Sequence, residues 1–182
     1  RWATHGKPTA QNAHPHKTGP VVLVHNGIIE NYHEIRERCL AAGYEPKSET
    51  DSELYGFLVL DQLKRGEPFV SAVRKAFLEL QGSCSVVVSS ENEPGLLVGV
   101  RNGSPLVAAM DGAGGVFLAS DAQALVEYSQ QVVVLESGDY VIARKGKLEF
   151  FDLASGRPVS RPPTEFNWSA EALDKNGFPH YM

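Results

Sequence analysis

An α+β fold follows from three observations. Helical periodicity is confined to residues 31–82, a two-residue alternation takes over from Ser83, and Gly- and Asn-containing turns space the apolar runs that follow. Helices and strands in separate blocks argue for segregated layers, not for the alternating order of a doubly wound sheet. At 182 residues the chain is long enough for one domain, or one domain with a tail, and folding would bury roughly 70% of its unfolded surface.

The elements read in order as follows. After a loop spelled NAHPHKTG, Val21 to Val24 forms an apolar strand that ends at His25, Asn26 and Gly27. A first helix runs from about Asn31 to Ala42, with Asn31 as N-cap, Glu34 at the capping-box position and Gly43 as its stop. A second begins at Thr50, where TDSE pairs a capping Thr with Glu53, and Leu54, Phe57 and Leu58 give it an apolar face. The third carries Val70, Val73, Phe77 and Leu80 on one side and ends near Gly82. Strands are expected over 84–89, 96–101, 105–110, 116–119, 132–135, 139–144 and 147–152, separated by turns such as RNGSP, DGAGG and RKGK. One short helix interrupts them, capped by Ser120 with Gln123 three residues on. Beyond Leu153 the chain turns rich in Pro, Ser and charge, which predicts a domain over residues 1–153 and a linker over 154–182.

Composition excludes several classes. A formal charge of -5 with scattered basic residues speaks against a nucleic-acid partner. Arg36, Arg38, Lys64, Arg65, Arg74 and Lys75 fall on the expected helices as solvated faces. No apolar run approaches the roughly 20 residues of a spanning helix and no stretch has the layout of a secretory leader, so the reading is a soluble, cytoplasmic protein without a membrane partner. Cys39 and Cys84 are too few and too ill-spaced for a disulfide framework or a zinc site and read as buried free thiols.

Two stretches could carry chemistry. In VVLVHNGIIENY, Asn-Gly is first a turn signal, because both residues tolerate positive φ. The same pair offers a side-chain amide and an unobstructed backbone N–H at a strand end, and such preset dipoles stabilise a developing oxyanion. In SETDSE, Asp51 falls in the first turn of a helix, where the dipole favours an ionised carboxylate able to hold an ammonium group. Arg1 supplies a planar fork for a carboxylate. Together Arg1 and Asp51 could bind an amino-acid zwitterion. Zinc on His14 and His16 with His5 or His25 is a weaker reading, since Pro15 enforces a turn and no Cys or carboxylate recurs at ligand spacing. A Cys84 dyad would lie mid-strand among apolar residues, and no G-x-S-x-G elbow is present.

Taken in order, RWATHG, NAHPH, VHNGIIEN and SETDSE closely resemble the glutaminase domain of the glutamine–fructose-6-phosphate amidotransferase family, within the class II glutamine amidotransferases. GSPLV, ASDAQAL and the DKNGFPHYM tail agree, so the likeness covers almost the whole chain. The resemblance implies an αββα sandwich of the N-terminal-nucleophile hydrolase type, with no cofactor and no metal. In that family an N-terminal cysteine attacks the glutamine amide, its α-amino group assists proton transfer, and ammonia is released. By resemblance, Arg1, Thr4 and His5 hold the α-carboxylate of L-glutamine, Asp51 its α-ammonium, Asn26 and Gly27 form the oxyanion hole, and Trp2 closes the site and guards the ammonia passage.

The family's RWATHG follows a Cys-bearing segment with core strands that these residues do not contain. The expectation is therefore a sandwich incomplete at its N-terminus and inactive by itself. The resemblance further implies ammonia delivery to fructose 6-phosphate in a sugar-isomerase domain outside this chain, for synthesis of glucosamine 6-phosphate in a homodimeric enzyme. Three alternatives stay open at this point: a nucleophile-less glutamine-binding module, the glutaminase domain of a phosphoribosyl amidotransferase or asparagine synthetase, and an α+β association domain in which the motif residues are only turns and caps.

Overall fold

The computed structural model describes residues 5–165. Two antiparallel sheets form the middle of the molecule. Strands β1 (His16–Thr18), β2 (Val21–Gly27), β3 (Cys84–Ser90), β4 (Leu97–Asn102), β8 (Asp139–Arg144) and β9 (Lys147–Asp152) make the larger sheet in the order β1-β2-β3-β4-β8-β9. Strands β5 (Val107–Met110), β6 (Val116–Ala119), β7 (Gln131–Val134) and β10 (Thr164–Glu165) make the smaller one in the order β10-β7-β5-β6. Helices α1 (Tyr32–Ala41), α2 (Asp51–Lys64) and α3 (Phe69–Leu78) cover one face of the larger sheet.

The period-2 pattern sorts each strand into layers. Val21 and Leu23 of β2, Val86 and Val88 of β3, and Val98 and Val100 of β4 join the helical core with Ile35, Leu58, Val73 and Phe77. Residues on the other face, among them Val87, Val141 and Phe150, meet Ala108 and Leu118 of the smaller sheet and Leu106 and Leu135 at the ends of its strands. The outer face of that sheet, through Val107, Ala109 and Val132, is covered by Ala122 and Leu125 of a 3-10 turn, Ala122–Leu125. The layering is thus helices, sheet, sheet and a short helical turn, in agreement with the expected sandwich.

Helix α2 is central and is buried on every side from Asp51 to Val59. It presses onto β1 and β2 at Gly56, where a Cβ would stand 2.8 Å from Thr18 Oγ1 and 3.0 Å from Leu23 Cδ2. Only a glycine permits that approach. The close packing brings the first turn of α2 level with the end of β2.

The expected strands hold with shifts of one or two residues at their ends, α3 ends at Leu78 and not near Gly82, and four further details differ. Asn31 stands at the N-cap of α1 without a capping hydrogen bond. Its side chain instead donates to Glu79 O at 3.0 Å and accepts from Gln81 N at 3.0 Å, clamping α1 to the end of α3. The 3-10 turn is capped by Asp121, whose carboxylate accepts from Gln123 N at 2.9 Å, and not by Ser120. Within the supposed loop NAHPHKTG, His16–Thr18 pairs with β2 as an edge strand. The segment after Leu153 stays on the domain as far as residue 165. Phe151 bridges Pro158, β10 pairs with β7, and Arg161 makes a two-pronged contact with the buried Asp139 at 2.7 and 2.9 Å.

Tyr55 locks α2 to α3. It is fully buried, its hydroxyl donates to Val73 O at 3.0 Å, and its ring meets Phe77 edge-on. Tyr55→Phe removes that bond and leaves the packing, so the domain should lose about 1–2 kcal/mol of stability, read as a lower midpoint in a urea titration. An unchanged midpoint would show that the hydroxyl contributes nothing to the helix pair.

Candidate functional site

The candidate site is built where the end of β2 meets the start of α2. Thr50 caps α2, its side chain accepting from Glu53 N at 3.4 Å. Glu53 does not complete the box by returning to Thr50. Its buried carboxylate accepts from Tyr44 Oη at 3.0 Å, Lys47 N at 2.9 Å, and both the backbone N and Oγ of Ser48 at 2.6 Å. Burial works to raise the pKa of Glu53, but these bonds, led by the Ser48 hydroxyl, outweigh it and hold the carboxyl below its ordinary value. The loop over residues 44–49 is thereby folded over the helix start. That loop in turn fastens the N-terminal segment, since Asn12 accepts from Glu49 N at 3.0 Å and donates to Lys7 O at 2.9 Å.

Asp51 lies at the centre of this frame, in the first turn of α2 where the helix dipole favours its charge, and is only 2% exposed. Its Oδ2 accepts from Ile29 N at 3.0 Å, two residues beyond the Asn26–Gly27 pair. His5 Nδ1 lies 3.6 Å from the same oxygen, with its ring edge-on to Tyr32. His25 Nδ1 lies 3.9 Å from Asp51 Oδ1 and 2.9 Å from Ser52 Oγ. His5, His25 and Asp51 therefore converge, and Asn26 and Gly27 follow His25 directly in the strand.

Gly27 adopts a φ of +119°, and a Cβ there would stand 2.1 Å from Ser83 O and 2.6 Å from Cys84 Cα. A side chain is excluded both sterically and conformationally, so the backbone at this point stays bare. Asn26 is exposed on the strand face opposite His25 and borders a hollow of about 190 Å3 between the sheets, walled by Val24, Val87, Leu106 and Leu118 with His14 at its edge. The structure thus brings His5, Asp51, Asn26 and Gly27 to one strand end. Arg1, Trp2 and Thr4 lie outside the described residues.

Cys39 and Cys84 are both buried, and burial pushes each thiol up to about 12, far from the thiolate a nucleophile requires. Among the described residues no group of three or more His, Cys, Asp and Glu is arranged to hold a metal ion. The two histidines of the HPH stretch instead meet edge to face at 5.3 Å, and His16 Nε2 lies 3.3 Å from Thr50 Oγ1. No described helix is long and apolar enough to cross a membrane.

The sequence alone does not single out Ser52, and there His25 enters only as a candidate metal ligand. The available signal is alternation, because in β2 the core-facing positions are Val21, Leu23 and then a histidine. A polar residue on a core-facing stripe needs a partner. Glu53 reads in sequence as a cap, and its grip on the 44–49 loop depends on chain paths that no local pattern encodes.

The solved structures that superpose on this chain share its fold. They include the glutamine phosphoribosylpyrophosphate amidotransferase of B. subtilis, with a TM-score of 0.67 at 18% identity over 80% of this chain and 32% of that one. A glutamine aminotransferase class-II domain protein from Silicibacter pomeroyi gives 0.57 at 18% identity over 79% of this chain and 71% of that one. At 18% identity these likenesses define the fold, a two-sheet sandwich shared with amidotransferase structures. The glutamine amidotransferase domain family matches residues 5–127, and the chain belongs to that family. It is also similar to curated proteins named glutamine–fructose-6-phosphate aminotransferase (isomerizing). The identity is 44% to that of Thermococcus kodakarensis and 46% to that of Thermus thermophilus, in each case over all of this chain. The chain spans about 30% of the length of those relatives.

The buried imidazole of His25 gives the site a pH signature. Burial is the main cause that lowers its pKa from 6.5 to about 4; Asp51 opposes the shift, and His14, His16 and His5 add to it. Between those two values the unfolded chain binds more protons than the folded one, so this contribution is complete above pH 6.5 and is lost as pH falls toward 4. The loss amounts to about 3 kcal/mol. His25→Asn should flatten the fall in melting temperature across that window. A variant that melts in parallel with the parent protein would contradict the assignment.

Proposed function

We propose that this chain is the glutamine-hydrolysing part of an isomerizing glutamine–fructose-6-phosphate aminotransferase, releasing ammonia from L-glutamine for synthesis of glucosamine 6-phosphate. One observation carries the reading: a buried carboxylate, Asp51, closes on the backbone just past a strand end whose last residues are an exposed amide and a bare glycine. Glutamine laid across that strand end would meet Asp51 with its α-ammonium and Asn26 with its amide oxygen.

In this reading the negative charge that develops on the amide oxygen is met by the Asn26 side-chain amide and the Gly27 N–H, preset dipoles that need no reorganisation. His5 flanks Asp51; that His5, with Arg1 and Thr4, takes the α-carboxylate and that Trp2 closes the site rests on resemblance. The nucleophile would be an N-terminal cysteine supplied by a longer protein, since Cys39 and Cys84 are protonated and buried. That longer protein would carry a sugar-isomerase domain reached beyond the strap pinned by Arg161, would pass ammonia to fructose 6-phosphate there, and would act as a homodimer. The identity of 44–46% with relatives named for fructose 6-phosphate favours that sugar as the acceptor.

The intact protein should release glutamate from glutamine. Asn26→Ala should lower kcat by about 10²- to 10³-fold, as expected for the loss of one oxyanion donor. Asp51→Asn should chiefly raise KM for glutamine. Glutamate release that is absent, or indifferent to both substitutions, would overturn the proposal.

A further inference from the structure

We infer that His25 is a positioning residue of the glutamine site, a neutral imidazole that holds Asp51 in its ammonium-binding pose through the hydroxyl of Ser52. This rests on the functional reading above and adds to it a residue that touches no substrate.

The inference comes from the hydrogen-bond inventory of a buried cluster. Ser52 Oγ stands between two groups, 2.9 Å from His25 Nδ1 and 3.5 Å from Asp51 Oδ1. A hydroxyl has one proton and can also accept. A carboxylate can only accept, so the arrangement that satisfies all three groups runs in one direction: Nδ1–H donates to Ser52 Oγ, and Ser52 O–H donates to Asp51 Oδ1. The opposite tautomer would turn the Ser52 proton toward the ring and leave Oδ1 without it. The other carboxylate oxygen is held by Ile29 N at 3.0 Å, so one oxygen is met by the chain after β2 and the other by Ser52 of α2, which His25 of β2 contacts in turn.

His25 is suited to that task. It is 5% exposed, and its Nε2 has no hydrogen-bond partner among the described residues, so Nδ1 is the nitrogen through which the ring acts. Its lowered pKa keeps it uncharged at neutral pH, which matters for what Asp51 must bind. An imidazolium beside the carboxylate would compete with the substrate's ammonium, whereas a neutral ring orients the carboxylate and leaves its charge available.

The test is steady-state glutaminase kinetics on the intact protein with three substitutions. His25→Leu removes the Nδ1 donor, Ser52→Ala removes the relay, and His25→Asn returns an N–H near the position of Nδ1. The expected result is a rise of about tenfold or more in KM for glutamine in H25L and S52A, with kcat within about threefold of the parent and KM largely restored in H25N. A parent-like KM in both H25L and S52A overturns the inference. So does an H25N protein as impaired as H25L with kcat and KM altered together, the pattern of a merely structural residue. If H25L does not fold, S52A alone decides by the same criterion. An intact parent protein that releases no glutamate sinks the functional reading and this inference with it; an active parent with unmoved KM values sinks only this inference.

Discussion

The site's geometry hangs on the bond between the Asp51 carboxylate and Ile29 N–H. A carboxylate removed from water costs several kcal/mol unless its oxygens are met by donors. Here the Ile29 amide and the Ser52 hydroxyl meet them, in the first turn of α2, where the helix dipole favours the charge. That satisfaction ties helix to strand end, and it sets negative charge one step from the only stretch of β2 where a side-chain amide and a side-chain-free backbone follow one another. Moving Asp51 would separate the charge that can hold an amino group from the dipoles that can hold an oxygen.

The rest of the domain keeps those two halves in register. Gly56 lets α2 lie against Thr18 and Leu23, and Tyr55 fastens the same helix to α3 on its other side. Glu53, close to Asp51 in the same turn, draws down residues 44–48, and Asn12 joins that loop to the segment containing His5. The Asn12 and Glu49 contacts connect the NAHPH and SETDSE stretches, which are 37 residues apart. Short motifs scattered along the chain become one surface because each loop is anchored by a buried polar side chain.

Much of the fold was legible because burial writes itself into alternation. Strands such as Cys84–Ser90 and Asp139–Arg144 have apolar residues on both core-facing sides and clear turn residues at their ends, so their limits follow from local sequence. The discrepancies fall where a side chain has two possible uses. Asn31 and Ser120 are good caps by type, yet Asn31 serves a neighbouring helix and Asp121 caps the 3-10 turn. His16–Thr18 and residues 154–165 look like loop because edge and strap segments are held by partners remote in sequence. Asn26, Gly27 and Asp51 stand out in the sequence as candidates because their chemistry is expressed at a strand end and a helix start. Ser52 and the role of His25 do not, because a relay between a strand and a helix exists only once they are packed.

A crystal structure of the intact protein with L-glutamate bound tests the central claim most directly. The account predicts the α-ammonium nitrogen within hydrogen-bonding distance of the Asp51 carboxylate and the side-chain carboxyl turned toward the Asn26 amide and the Gly27 N–H. A glutamate seated elsewhere, with neither Asp51 nor Asn26 touching it, would contradict the account.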